Sequence, residues 1–182
     1  MAMYYLDIET TGFNSETDKI LTIQYQRLDD RDGGKPVGEL TILKSWDSSE
    51  EEIVKEFFKR FITENSWDFI PVMQNHLFEF KFLFDKFKKY CGWDVDIMKF
   101  MFSKPFLDIK YTLVMANQLS FKGAGLDKMT NKTMDGKQVP IWFANKDYKS
   151  IEEYIKMEAK AFIEFFEKIV EKLPNIVCSE QD

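Results

Sequence analysis

The spacing of apolar residues changes character part-way along this chain. Up to Leu43 the segments read as strands: Met3–Glu9 (MYYLDIE), rich in aromatic and aliphatic residues, Ile20–Leu28 (ILTIQYQRL), with apolar/polar alternation, and Val37–Leu43 (VGELTIL). Thr10-Thr11-Gly12 and Asp29–Gly34 (DDRDGG) supply turns, so these strands join as a meander. Helical spacing then takes over. Ser48-Ser49-Glu50-Glu51 caps a helix that runs to about Thr63. Asp68–Gln74 (DFIPVMQ) is a short apolar strand interrupted by Pro71. Helices are expected over Leu77–Tyr90, near Ile109–Leu119 and Leu126–Asn131, and over Ser150–Leu173. Strands first, then helices crossing back, imply an α/β domain with a mixed sheet. No repeat or linker divides the 182 residues, so residues 1–175 are expected to form one domain and 176–182 a mobile tail.

Composition narrows the classes of function. With 45% hydrophobic residues, 16% aromatics and 18 Phe, the chain can bury a large core. No apolar run approaches the ~20 residues that span a bilayer, so no membrane role is expected. The start of the chain lacks a signal-peptide pattern, and Cys91 and Cys178 are too few for a disulfide framework or zinc site. A reducing cytoplasm is the expected setting. The net charge of −6 argues against a basic coat for nucleic acid. It suits an enzyme that gathers carboxylates around divalent cations, and equally an ordinary acidic protein.

Two groups of residues carry chemistry. Asp7 and Glu9 end the first strand and share one of its faces roughly 6–7 Å apart, while Leu6 and Ile8 take the other. On the last helix, at about 100° per residue, Ile151, Ile155, Phe162, Phe165, Ile169 and Leu173 gather into one arc. Glu158 falls within it, whereas Glu152, Glu153, Glu164, Glu167 and Glu171 fall outside. An acid aimed at the sheet needs a partner. Tyr154 lies one turn earlier on the same face.

The string Tyr5-Leu6-Asp7-Ile8-Glu9-Thr10-Thr11-Gly12-Phe13 resembles the first motif of the DEDD 3′→5′ exonucleases, a family of the ribonuclease H-like superfamily. Asn75-His76-Leu77-Phe78-Glu79 is similar to the second, with Asn75 and Phe78 matching and Glu79 where Asp is usual. Tyr154 and Glu158 match the third motif in its tyrosine form, again with Glu for Asp; the histidine form needs His where Glu153 stands. Leu107–Lys110, Gly125-Leu126-Asp127 and Val139–Trp142 also look like the region between motifs. The resemblance implies a ribonuclease H-like mixed sheet flanked by helices and a two-metal hydrolase. Asp7, Glu9, Glu79 and Glu158 would hold two divalent cations, Mg²⁺ or Mn²⁺. Tyr154 would orient the attacking water, and Thr10, Thr11, Asn75 and Phe78 would meet the substrate. The implied partners are 3′ ends of single-stranded DNA or RNA, with a polymerase or another replication or repair protein as a further partner.

Other residues carry weaker signals. An acid near a helix start is favourable by itself, so capping is a second account of Glu79. His76 reads as a helix-start residue or a substrate neighbour. Lys81, Lys86, Lys88 and Lys89 form either a patch that steers a phosphate backbone or a solvated helix face. Trp142 and Phe143 either stack a base or anchor a loop. The rival to the enzyme is a catalytically weak or inactive domain of the same fold that binds nucleic acid or a polymerase. The two Asp-to-Glu changes support it, because each displaces a carboxylate by over ~1 Å and Mg²⁺ demands near-ideal geometry.

Overall fold

A computed structural model describes residues 1–126 and 134–177, with side chains as far as Leu173. Five strands form one sheet in the order β3-β2-β1-β4-β5. They are β1 (Met3–Thr10), β2 (Ile20–Leu28), β3 (Pro36–Lys44), β4 (Ile70–Met73) and β5 (Leu107–Asp108). The meander β1-β2-β3 is antiparallel, whereas β4 and β5 add to β1 in parallel. This is the expected α/β mixed sheet. Pro71 fits within β4 because β5 pairs only with Val72 and Met73, so its missing N–H falls beside an unpaired stretch.

Among the described residues six α-helices flank the sheet: α1 (Glu50–Phe61), α2 (His76–Cys91), α3 (Ile97–Met101), α4 (Ile109–Ala116), α5 (Val139–Ala144) and α6 (Tyr148–Val177). Ser49 caps α1 by accepting from the Glu52 backbone N–H, as its sequence implies. The two-residue β5 and the short helices α3 and α5 were not expected, since none is long enough to show a period. The expected helix near Leu126–Asn131 lies largely outside the described residues, as does the tail beyond Val177.

The two faces of β1 serve different purposes. Tyr4, Leu6 and Ile8 pack into an aromatic-rich core with Phe57 and Phe61 of α1 and Phe80 and Phe87 of α2. Tyr5 faces the other way, towards Ile109 and Leu113 of α4 and Ala159 and Phe162 of α6. Between Glu9 and Thr10 the pairing with β2 shifts by one residue, a β-bulge. It turns Leu21 away from Ile20 and Ile23, into a small core with Tyr154, Ile151 and Ile155.

The buried stripe of α6 differs from the expected arc towards its C-terminus. Ile151, Ile155 and Phe162 are buried, but Ile163 and Phe166 take the places foreseen for Phe165, Ile169 and Leu173. The cause is local. Phe166 rests against Gly34 of the β2–β3 turn, where any Cβ would lie 2.7 Å from its ring and φ is +80°.

Candidate active site

Asp7 and Glu9 come from β1, and Glu158 comes from α6, which crosses the face opposite the aromatic core. Each of the three offers a carboxylate oxygen within 4.8 Å of the others, and all are half-buried. Strand alternation brings the first pair together, and the inward arc of α6 delivers the third.

Asp7 is held from two sides. Gln24, directly opposite on β2, donates its Nε2 to Asp7 Oδ2 at 2.9 Å. Tyr5, on the same face of β1, directs its hydroxyl to the same oxygen at 3.3 Å. Thr22 Oγ1 in turn donates to Gln24 Oε1 at 2.9 Å. Thr22 and Gln24 are fully buried polar residues that the alternation of β2 made look solvent-facing. The signal that would have found them is their registry: in an antiparallel pair they stand opposite Glu9 and Asp7.

Glu79 enters from the first turn of α2 and is only 4% exposed. Among the described residues its Oε2 has no hydrogen-bond partner. Burial first, and the charge of Asp7 second, push its pKa well above the usual carboxylate range; Asp108 and Glu158 add to the effect, and its own backbone N–H opposes it. Glu79 is therefore not a solvent-facing cap, although it bonds its own backbone N–H in the first turn. Glu79 faces the acids but is not one of the three whose oxygens converge.

Tyr154 is buried and hydrogen-bonds Glu158. Burial, then the negative charges of Glu9 and Glu158, hold its hydroxyl far above the ordinary tyrosine range, so it stays protonated and can donate a hydrogen bond. Gly136 covers this hydroxyl so closely that a Cβ there would stand 2.6 Å from it.

The remaining expected residues are spread around this centre. Thr10 donates its hydroxyl to the Gly12 carbonyl at 2.6 Å, and Thr11 bonds Asp18 at 3.4 Å, so both shape the turn after β1. Asn75 is exposed at the start of α2 and makes no side-chain cap. Phe78 is half-buried and meets Phe13 edge-on at 6.2 Å. Phe13, 88% exposed, was not singled out from the sequence, although it lies within the first motif.

One other reading changes. Lys86 belongs to neither a basic patch nor a solvated face, because it is 2% exposed. It donates to the Asp18 carbonyl at 2.5 Å and pairs with Glu50 at 3.3 Å, tying the β1–β2 loop to α1 and α2. Trp142 and Phe143 pack beside Tyr154 and Tyr148, which fits loop anchoring rather than base stacking. Cys91 is half-buried against the aromatic core.

A family model described as the RNase H superfamily matches residues 4–149. The chain belongs to the RNase H superfamily. The match takes in Asp7, Glu9 and Glu79 and stops short of Tyr154 and Glu158. No curated protein matches by sequence. Among solved structures, the zinc-bound form of an E. coli exonuclease I–single-stranded DNA complex aligns with a TM-score of 0.55 and 12% identity over 71% of this chain and 34% of that one. E. coli exonuclease I with a dA13 oligonucleotide gives 0.51 and 12% over 67% and 31%. An exonuclease I complex with an SSB C-terminus gives 0.50 and 12% over the same shares. The chain thus spans about a third of exonuclease I, and at this identity the likeness is one of fold. Among the described residues no helix is long and apolar enough to cross a membrane.

Proposed function

We propose that this RNase H-like domain is a tyrosine-type DEDD exonuclease, which hydrolyses single-stranded DNA or RNA from its 3′ end to 5′-mononucleotides. One observation carries the reading. Three carboxylates from two elements, β1 and α6, converge, and beside them a fourth, Glu79, keeps a buried oxygen without a hydrogen-bond partner among the described residues. Burying charge in this way costs several kcal/mol unless a counter-charge offsets it. The donors are all hard oxygens, the set that Mg²⁺ and Mn²⁺ prefer. Asp7, Glu9 and Glu158 would hold one cation, and Asp7 and Glu79 would share a second. When bound, such ions lower the pKa of a water and stabilise the leaving oxygen.

The chain's own residues do the rest. Gln24 and Tyr5 fix the direction of Asp7. Tyr154 stays protonated, so it orients Glu158 and a neighbouring water by donation and takes no proton from either. Thr10, Thr11 and Asn75 would receive the terminal nucleotide. The Phe13–Phe78 pair offers it an aromatic edge next to Glu79. Exonuclease I binds single-stranded DNA and an SSB C-terminus; a replication or repair partner for this chain is proposed by that analogy alone.

The test uses end-labelled DNA and RNA oligonucleotides with Mg²⁺, Mn²⁺ or EDTA. Stepwise loss of 5′-mononucleotides, blocked by a 3′ cap but not by a 5′ cap, is the expected result. Mn²⁺ should support the higher rate. Cuts in a circular strand would replace the polarity with an endonuclease. A second reading, the weak or inactive binding module, draws on the position of Glu79 outside the converging three. It predicts single-strand binding without turnover in either metal.

A further inference from the structure

We infer that Asp108 is a positioning residue: it holds the start of α2, and through it Glu79, against the acid cluster. This rests on the metal-centre reading of that cluster. The first N–H groups of any helix lack partners within the helix. Asn75, at the capping position of α2, makes no side-chain bond to them. The bond comes instead from another strand. Asp108 Oδ2 accepts from the His76 backbone N–H at 3.1 Å and from the His76 ring Nδ1 at 2.7 Å. Its Oδ1 accepts from the Lys110 backbone N–H at 2.8 Å and so caps α4 as well.

Topology explains why this residue can reach both helices. Asp108 ends the two-residue strand β5 opposite Met73, three residues before His76 on the neighbouring strand and its turn. Its side chain is 4% exposed. The His76 ring cannot swing away, since it stacks on Phe106 at 4.4 Å and meets Phe80 edge-on at 6.1 Å. Glu79 follows His76 by less than one helical turn. A buried carboxylate oxygen without a partner returns to water if its backbone gives way, so Glu79 depends on the stiffness of this helix end.

Asp108 is itself an acid close enough to Glu79 to act on its charge. Yet both of its oxygens are already committed, to His76 and to Lys110. It supports a ligand and is not one. Partners of this kind set the orientation of metal-binding side chains, and their removal typically weakens metal affinity about 10–100-fold.

The experiment is a Mn²⁺ titration, read by the paramagnetic signal of the free ion. It compares the intact chain, Asp108→Ala, Asp108→Asn and Glu79→Gln, with circular dichroism to check folding. The intact chain should take up two ions, and Glu79→Gln should weaken the second. Asp108→Ala should weaken that same second ion by about 10–100-fold and leave the first unchanged. Asp108→Asn, which retains one acceptor oxygen, should fall between. Equal weakening of both ions, or of neither, overturns the inference. If Asp108→Ala does not fold, Asp108→Asn decides: a selective loss of the second ion supports the role, and intact affinity refutes it. No uptake by the intact chain would instead overturn the metal-centre reading and take this inference with it.

Discussion

Gln24 Nε2 donates to Asp7 Oδ2 across the β1–β2 ladder at 2.9 Å, from a position wholly closed to solvent. Thr22 occupies the other end of the same amide. The amide therefore cannot flip without losing two bonds. Gln24→Leu should keep the fold, leave the Thr22 hydroxyl without its acceptor at about 1–3 kcal/mol, and reduce turnover about 10–100-fold. Wild-type turnover in this variant would show that Asp7 needs no support from β2.

Asp7→Asn tests the centre itself. It removes the charge that the other acids are gathered around, while its side chain can still meet Gln24 and Tyr5. Hydrolysis should fall by more than about 100-fold, the scale of a lost metal ligand, with the melting temperature held or raised. The check is single-turnover hydrolysis alongside thermal unfolding.

Glu79 predicts a dependence of stability on pH in the metal-free protein. Burial and the Asp7 charge raise its pKa in the folded state. As pH climbs past the unfolded value, the unfolded chain releases a proton that the folded chain retains, so stability falls until the raised folded pKa is passed. Glu79→Gln removes this loss. At neutral pH it should raise the melting temperature by roughly 2–4 °C for each ~1 kcal/mol relieved. The gain should vanish below the ordinary carboxylate range, and a gain that persists there would point to another cause.

Gly136 and Tyr154 form a pair for comparison. A methyl at Gly136 would stand 2.6 Å from the Tyr154 hydroxyl and must displace it. Gly136→Ala and Tyr154→Phe should therefore lower turnover to similar extents, on the order of 10–100-fold for a lost orienting group, and the double variant should be little worse than either. Additive losses would separate the two residues.

Lys86 bears on stability. Its ammonium group is buried between Glu50 and the Asp18 carbonyl. Lys86→Met strands a buried carboxylate and should cost about 3–5 kcal/mol by urea unfolding. Tyr90 and the Ile20 backbone N–H still bond Glu50, which favours the lower figure. A change under about 1 kcal/mol would mean that Lys86 is solvated in the unbound protein.

The acids were legible because two regular periods fix them. Alternation puts Asp7 and Glu9 on one face of a strand, and helical spacing turns Glu158 inwards. The support around them was not. Thr22 and Gln24 read as the wet side of a half-buried strand, since nothing local shows that α6 will cover them. Lys86 reads as a surface charge because its partners, Glu50 and Asp18, lie 36 and 68 positions away in the chain. Asp108 sits in a strand too short to have a period, so its hold on His76 depends wholly on the β4–β5 pairing. Phe13 belonged to a motif that drew attention to its acids.

The bulge between Glu9 and Thr10 makes the two strands unequal in what they can survive. Losing one residue from β2 near Leu21 has an escape: the irregular pairing can close into a regular ladder, with Gln24 still opposite Asp7. Losing one residue from β1 has none. Every side chain beyond the deletion changes sides, so the acids would enter the phenylalanine core and Leu6 and Ile8 would line the cluster. Length variation in natural relatives of this domain should therefore collect in the 11–21 segment and be absent from 3–9.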